Sequence, residues 1–185
     1  MDNRFLVVIA AVLLVLGTLA FGSDRIGVFA TQGQRSHDFG TGDFREYTVR
    51  GAGAMYLQGE TSGFFSSASV GLLEEVDELY ARPGVTGDTL IGARYESEWG
   101  RSGFHFGAGM NASLESYRLE NSSGNASNLA LGVGAVSGVQ YYLTDSVAVF
   151  MSMQAGFSPF SFGNSDENDT PERANSVLFQ GGMTF

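Results

Sequence analysis

Apolar and polar residues alternate with a period of two along most of this chain. Side chains on a strand point to opposite faces in turn, so such runs read as β-strands with one greasy face and one wet face. Beyond residue 22 no long stretch has the spacing of an amphipathic helix. Residues 25–31 carry Ile26, Val28 and Ala30 on one side. Residues 46–58 set Tyr47, Val49, Gly51, Gly53, Met55 and Leu57 against Thr48, Arg50, Ala52, Ala54 and Tyr56. Residues 64–73 and 89–99 repeat the pattern less cleanly, the second with Ile91, Ala93, Tyr95 and Trp99 opposite Arg94 and Glu96. It is clearest over 103–115, where Phe104, Phe106, Ala108, Met110, Ala112 and Leu114 oppose His105, Gly107, Gly109, Asn111, Ser113 and Glu115. Residues 129–141 and 147–157 add two more strands, and 177–185 makes eight.

The connections also alternate. Long polar stretches are expected at 32–45, 75–88, 118–128 and 158–175, and short ones at 59–63, 100–102 and 144–146. That rhythm belongs to an up-and-down barrel with tight turns at one end and longer loops at the other. Segments of about ten residues match the roughly 9–11 that a tilted strand needs to cross a bilayer. Hydrocarbon offers no partner to an unpaired edge, so the sheet must close. The expected fold is therefore all-β, an eight-stranded antiparallel up-and-down transmembrane β-barrel over residues 23–185. A soluble eight-stranded barrel with an apolar interior, of the lipocalin type, is the competing architecture. The Gly-rich polar face suits a crowded lumen, and the continuous apolar face suits lipid.

Residues 1–22 read differently. Arg4 precedes an unbroken apolar run over 5–16, and small residues follow at Thr18, Ala20 and Gly22. This is the pattern of a secretory signal peptide, with cleavage expected after Ala20 or Gly22. The apolar run is shorter than the roughly 20 residues of a spanning helix.

Composition narrows the rest. Cysteine is absent from the 185 residues, so no disulfide or thiolate metal site exists. Glycine is abundant at 26 and proline scarce at 3, which favours a tightly curved sheet over a linker. The formal net charge is −10, which argues against nucleic acid as a partner.

With the apolar face in lipid, a polar network is expected inside the barrel: Arg50, Arg94, Glu96, His105, Glu115, Gln140, Gln154 and Gln180. An eight-stranded barrel is just wide enough for side chains to fill, so this network reads as a plug. Trp99, Tyr141, Tyr142 and Phe185 are expected at the membrane interface, where amphipathic rings sit well. His37, beside Ser36 and Asp38, falls in an expected loop and reads as solvated. The acidic groups Glu74, Glu75, Asp77 and Glu78, and Asp166, Glu167, Asp169 and Glu172, lack the spacing of a calcium loop and read as exposed charge. Gly132, Gly134 and Gly138 imitate a dinucleotide fingerprint, but the spacing is wrong and no helix follows.

Three stretches carry a family resemblance: Gly138-Val-Gln-Tyr-Tyr-Leu-Thr-Asp145, the strand from Val147 to Met151, and the alternating terminus ending on Phe185. Together with the strand pattern they resemble the small eight-stranded outer-membrane barrels, such as the outer-membrane protein A transmembrane domain, outer-membrane protein X and the opacity adhesins. The resemblance implies a stand-alone monomeric barrel in the bacterial outer membrane. It implies that Val177, Phe179, Met183 and Phe185 form the signal read by the barrel-assembly machinery, with periplasmic chaperones as earlier partners. The expected role is structural or surface-interactive, with no cofactor, no metal and no catalytic residues. The alternatives are a narrow solute pore, a soluble periplasmic barrel, and a lipid-modifying hydrolase using His105. On a strand, Ser113 and Glu115 lie roughly 25 Å or more from His105, too far to serve it.

Overall fold

A computed structural model describes residues 25–40, 44–58, 62–76, 84–118, 125–163 and 171–185. The expected signal peptide lies outside them. Eight strands follow one another: β1 (Arg25–Asp38), β2 (Phe44–Leu57), β3 (Ser62–Glu75), β4 (Gly84–Trp99), β5 (Ser102–Arg118), β6 (Asn125–Tyr142), β7 (Ala148–Gly163) and β8 (Arg173–Thr184). Each pairs antiparallel with the next, and β8 returns to β1, so the sheet closes. The last residue takes part in the closure. The Ile26 amide donates to the Phe185 carbonyl at 3.0 Å, and the Phe185 amide donates back at 2.7 Å.

A circuit of paired residues measures the stagger. It runs Arg25, Leu57, Phe65, Gly92, Gly109, Gly134, Gly156, Ser176 and closes on Arg35, ten residues above its start. Such a displacement goes with strands tilted about 35–45° from the barrel axis. Four of these nine residues are glycines on adjacent strands, all facing inward. A Cβ added to Gly109 would lie 2.5 Å from the Gly92 Cα, so the two strands approach closely there. Gly109→Val must push β4 and β5 apart. It is expected to lower stability by about 1–3 kcal/mol, read from denaturant unfolding in lipid vesicles.

The apolar faces point outward. Met110, Met151, Val133 and Phe179 are all well exposed, whereas Arg94, Glu96, Glu115 and Gln154 are buried inside. This is the face assignment expected for lipid, and inverted from that of a soluble barrel. Tyr56, Ser66 and Ala68 also face outward yet are buried, Tyr56 against the Phe64 ring at 6.3 Å.

The strands run further than the apolar pattern predicts. Connections at the loop end are 39–43, 76–83, 119–124 and 164–172; at the turn end they are 58–61, 100–101 and 143–147. Much of the expected long loops is strand. β1 continues through Gln32, Gly33, Gln34 and Arg35 to Asp38, because its backbone pairs with β2 on one side and β8 on the other. β4 likewise starts at Gly84. At the turn end Gly100 takes φ 63°, a left-handed conformation that glycine adopts without penalty. In the 143–147 turn, Thr144 Oγ1 accepts from the amides of Ser146 at 3.3 Å and Val147 at 3.0 Å. An extra residue in β7 opposite Leu131 and Val133 makes a bulge, which turns Phe160 and Phe162 outward and Ser161 toward Asn128.

Candidate functional site

The lumen holds two ion-pair clusters, one near each end. At the turn end, Glu96 is the hub. Arg25 donates to both its oxygens, at 3.3 and 2.7 Å, and Arg94 and Gln140 donate as well. The Tyr142 hydroxyl accepts from Arg25 and from Gln140, each at 2.7 Å, and lies within reach of Glu96 and of Glu98. Two guanidiniums thus converge on one carboxylate, with a second carboxylate at the mouth.

At the loop end, Arg35 is the hub. It donates to Asp88, to Glu115, and to Thr86 Oγ1 at 2.8 Å. Glu115 is 0% exposed and also meets His37 Nε2 at 3.1 Å and Asn128 Nδ2 at 3.4 Å. His37, itself fully buried, lies against the Tyr47 ring with centroids 4.9 Å apart. Ser161 donates to Asn128 at 2.6 Å, which holds the amide turned toward Glu115. Buried charges must be paired and hydrogen-bonded, and most of these carboxylate and guanidinium groups have several partners.

Between the clusters the lumen mixes apolar side chains with Thr31, Ser67, Ser69, Ser152, Gln154 and Gln180. Leu57, Phe65 and Leu90 pack together there with Met55 and Val136, whereas Tyr47, Val49, Leu73 and Leu178 pack beside the loop-end cluster, where Tyr47 pairs with Arg35. A short amide chain runs alongside: Ser152 donates to Gln180 at 3.1 Å, and Gln180 donates to Gln154 at 2.9 Å. A cavity of about 30 Å³ remains beside Arg94, Glu96, His105, Gln140, Ser152, Gln180 and Thr184. One water needs about 10–15 Å³ by this measure, so it accommodates two or three waters.

The expected network residues therefore fall in different places. Arg94, Glu96 and Gln140 meet in the turn-end cluster, Glu115 belongs to the loop-end cluster, and Gln154 and Gln180 bond each other between. His105 is half-buried in the cavity wall and stacks edge-on against Phe150, with centroids 6.4 Å apart. Arg50 is a correction. It is 63% exposed on the outer wall, where it faces Glu74 at 3.8 Å. On β2 it is Tyr47 and Val49 that turn inward, to pack on Leu73 and Leu178, and Arg50 is left on the opposite face. Tyr142 is also a correction: its hydroxyl joins the turn-end cluster, whereas Trp99, Tyr141 and Phe185 are exposed on the outside. His37 is not a solvated loop residue but part of the loop-end cluster.

Arg25, Arg35, Thr86, Asp88 and Asn128 were not anticipated in the lumen. The available signal was parity. Arg35 and His37 continue the inward set Phe29, Thr31 and Gly33, and Asp88 continues the set of Arg94 and Glu96.

No protein-family model matches the chain, and no curated protein matches it. Solved structures do. Neisserial surface protein A matches with a TM-score of 0.60 at 13% identity, over 86% of this chain and 94% of that one. The N-terminal β-barrel domain of Pseudomonas aeruginosa OprF matches with a TM-score of 0.53 at 14% identity, over 89% and 99%. Ail of Yersinia pestis, in complex with the heparin analogue sucrose octasulfate, matches with a TM-score of 0.50 at 10% identity, over 87% and 97%. The closed eight-strand circuit, the outward apolar faces and these likenesses lead to one conclusion: the chain has the fold of the small eight-stranded outer-membrane β-barrels.

Proposed function

We propose that the protein is a non-conducting barrel of the bacterial outer membrane whose role is structural and surface-interactive, a rigid plugged frame that displays its loop end to the outside. The observation that carries this reading is the lumen. Among the described residues two ion-pair clusters lie in series, the Leu57, Phe65 and Leu90 group packs between them, and the cavity beside Glu96 holds about 30 Å³. Hydrocarbon-like constrictions dewet, and paired buried charges do not release easily.

The loop-end connections carry Asp43, Asp77, Glu78, Glu120, Asp166, Glu167, Asp169 and Glu172 against the single base Arg82. Such a surface repels polysulfates like the one bound to Ail, and attracts cationic partners or divalent ions. Basic protein surfaces are the class of partner that this charge favours.

Planar-bilayer recording tests the closed lumen. The purified protein is expected to show no steady ohmic conductance; stable unit openings in the folded wild type overturn the plug. We propose Val177, Phe179, Met183 and Phe185 as the assembly signal. Phe185→Ser is therefore expected to reduce the folded barrel in the outer membrane several-fold and leave synthesis unchanged, scored by immunoblot of membrane fractions. Unaltered yield contradicts that role.

A further inference from the structure

The apolar belt around the barrel differs in height from wall to wall. With ten residues of displacement over eight strands, the position level with a residue on the next strand lies about 1.25 residues nearer the turn end than its paired partner. One row of pairs runs Gln32, Arg50, Leu72, Val85, Ser116 and Ser127, from β1 to β6. Five steps along it amount to about six residues, so Gln32 is level with Val133 on β6. The row from Ile26 through Tyr56, Ser66, Ile91 and Met110 ends on Val133, which puts Ile26 level with Val139. On β1 the outward apolar residues are Ile26, Val28 and Ala30, and exposed Gln32 and Gln34 follow. On β2 they stop at Ala52, before exposed Arg50. On β6 they begin below Val139, at Tyr141, and continue above Val133 through Leu131 to Leu129. A strand tilted about 40° climbs roughly 2.5 Å per residue, so β6 stays apolar for roughly 10 Å above the level of Gln32. The β7 bulge sets Phe160 and Phe162 outward beside Leu131 and Leu129.

We infer that the β1–β2 wall is a contact surface for the lipid headgroups of the outer leaflet, which sink against it so that the bilayer is thinner on this side of the barrel. Tilting the barrel does not remove the difference, because the apolar run of β1 falls short of that of β6 at both ends. A bilayer that meets a short apolar stretch thins to match it. The alternative leaves the amides of Gln32 and Gln34 and the Arg50 guanidinium in hydrocarbon. Polar groups lose their water there, and a cation is costlier the deeper it lies. Arg50 and Glu74 face each other at 3.8 Å with both side chains well exposed, a pair suited to a hydrated layer. Headgroup phosphates and hydroxyls match what the wall offers: a guanidinium that takes phosphate in a bidentate grip, and amides that both donate and accept.

The inference rests on the membrane placement proposed above, which the gel shift between unheated and boiled protein reports separately for every variant. The chain has no cysteine, so single thiols can be introduced cleanly. Gln32→Cys and Val133→Cys place thiols at one level on different walls. In isolated outer membranes, a charged maleimide that does not enter hydrocarbon is expected to label Gln32→Cys several-fold faster than Val133→Cys, and both alike after denaturation. The same difference is expected for the purified proteins in lipid vesicles. Adding Gln34→Leu and Arg50→Leu to Gln32→Cys extends the apolar wall and should slow its labelling several-fold. Equally slow labelling of both thiols, with the gel shift intact, overturns the inference, as does a rate that the two leucines leave unchanged. A Gln32→Cys thiol protected in native membranes but labelled in pure lipid vesicles also overturns it, and assigns the wall to a protein partner.

Discussion

Arg35→Met is expected to lower the unfolding free energy of the barrel by about 3–5 kcal/mol, the loss typical of removing one partner from a buried ion pair. Among the described residues Arg35 is the only guanidinium that bridges Asp88 and Glu115, and both carboxylates are buried. Without it, two anions share a low-dielectric pocket with His37, Thr86 and Asn128 as their remaining partners. Urea titration in lipid vesicles, followed by fluorescence of the sole tryptophan, Trp99, gives the number directly. Trp99 is 69% exposed on the lipid-facing side, so its emission responds when the barrel leaves the membrane. The loss comes from stranded charge and not from an inherent need for ions. Arg35→Met combined with Asp88→Leu and Glu115→Leu should therefore recover most of it. A single variant as stable as the wild type would mean that the loop-end cluster is solvated.

Glu96→Leu is expected to cost a similar amount, again about 3–5 kcal/mol, for the opposite reason: it strands cations. Arg25 and Arg94 both direct their guanidiniums at Glu96, and Gln140 and Tyr142 each lose one of their acceptors with it. Glu98, nearer the mouth, meets the Tyr142 hydroxyl at 2.8 Å. Glu96→Gln keeps the shape and an acceptor oxygen but not the charge, and should fall between Leu and wild type. The two clusters lie in series with apolar groups between them. Neither Glu96→Leu nor Arg35→Met alone is therefore expected to make the barrel conduct. A conducting Glu96→Leu barrel would show that the turn-end cluster is the sole barrier.

The strand count, the turn and loop ends and the lipid-facing side were legible because they depend on a period-two pattern that the bilayer enforces over about ten residues. Phe104 to Leu114 and Val149 to Phe157 show it without ambiguity. The loop-end cluster was not legible, because Arg35 and His37 lie above the apolar run of β1, and the outward neighbours of Asp88 are Gly87 and Thr89. There the outward residues turn polar, the contrast between faces disappears, and only backbone pairing to β2, β8 and β5 keeps the segment a strand. Arg50 was misplaced because polarity was equated with the lumen. On β2 the lumen takes Tyr47 and Val49, since the interior needs apolar filling as well as ion pairs. Tyr142 shows the converse: a ring at the right height for the interface, turned inward by the parity it shares with Gln140.

The most direct test of the central claim, a closed barrel with its apolar face in lipid, is heat-modifiability of the protein from isolated outer membranes. Unheated and boiled samples run side by side on a detergent gel should migrate differently, the unheated form keeping its compact barrel until boiled. Recovery of the protein in the soluble periplasm, with one mobility before and after heating, would contradict the outward apolar face and with it the membrane barrel.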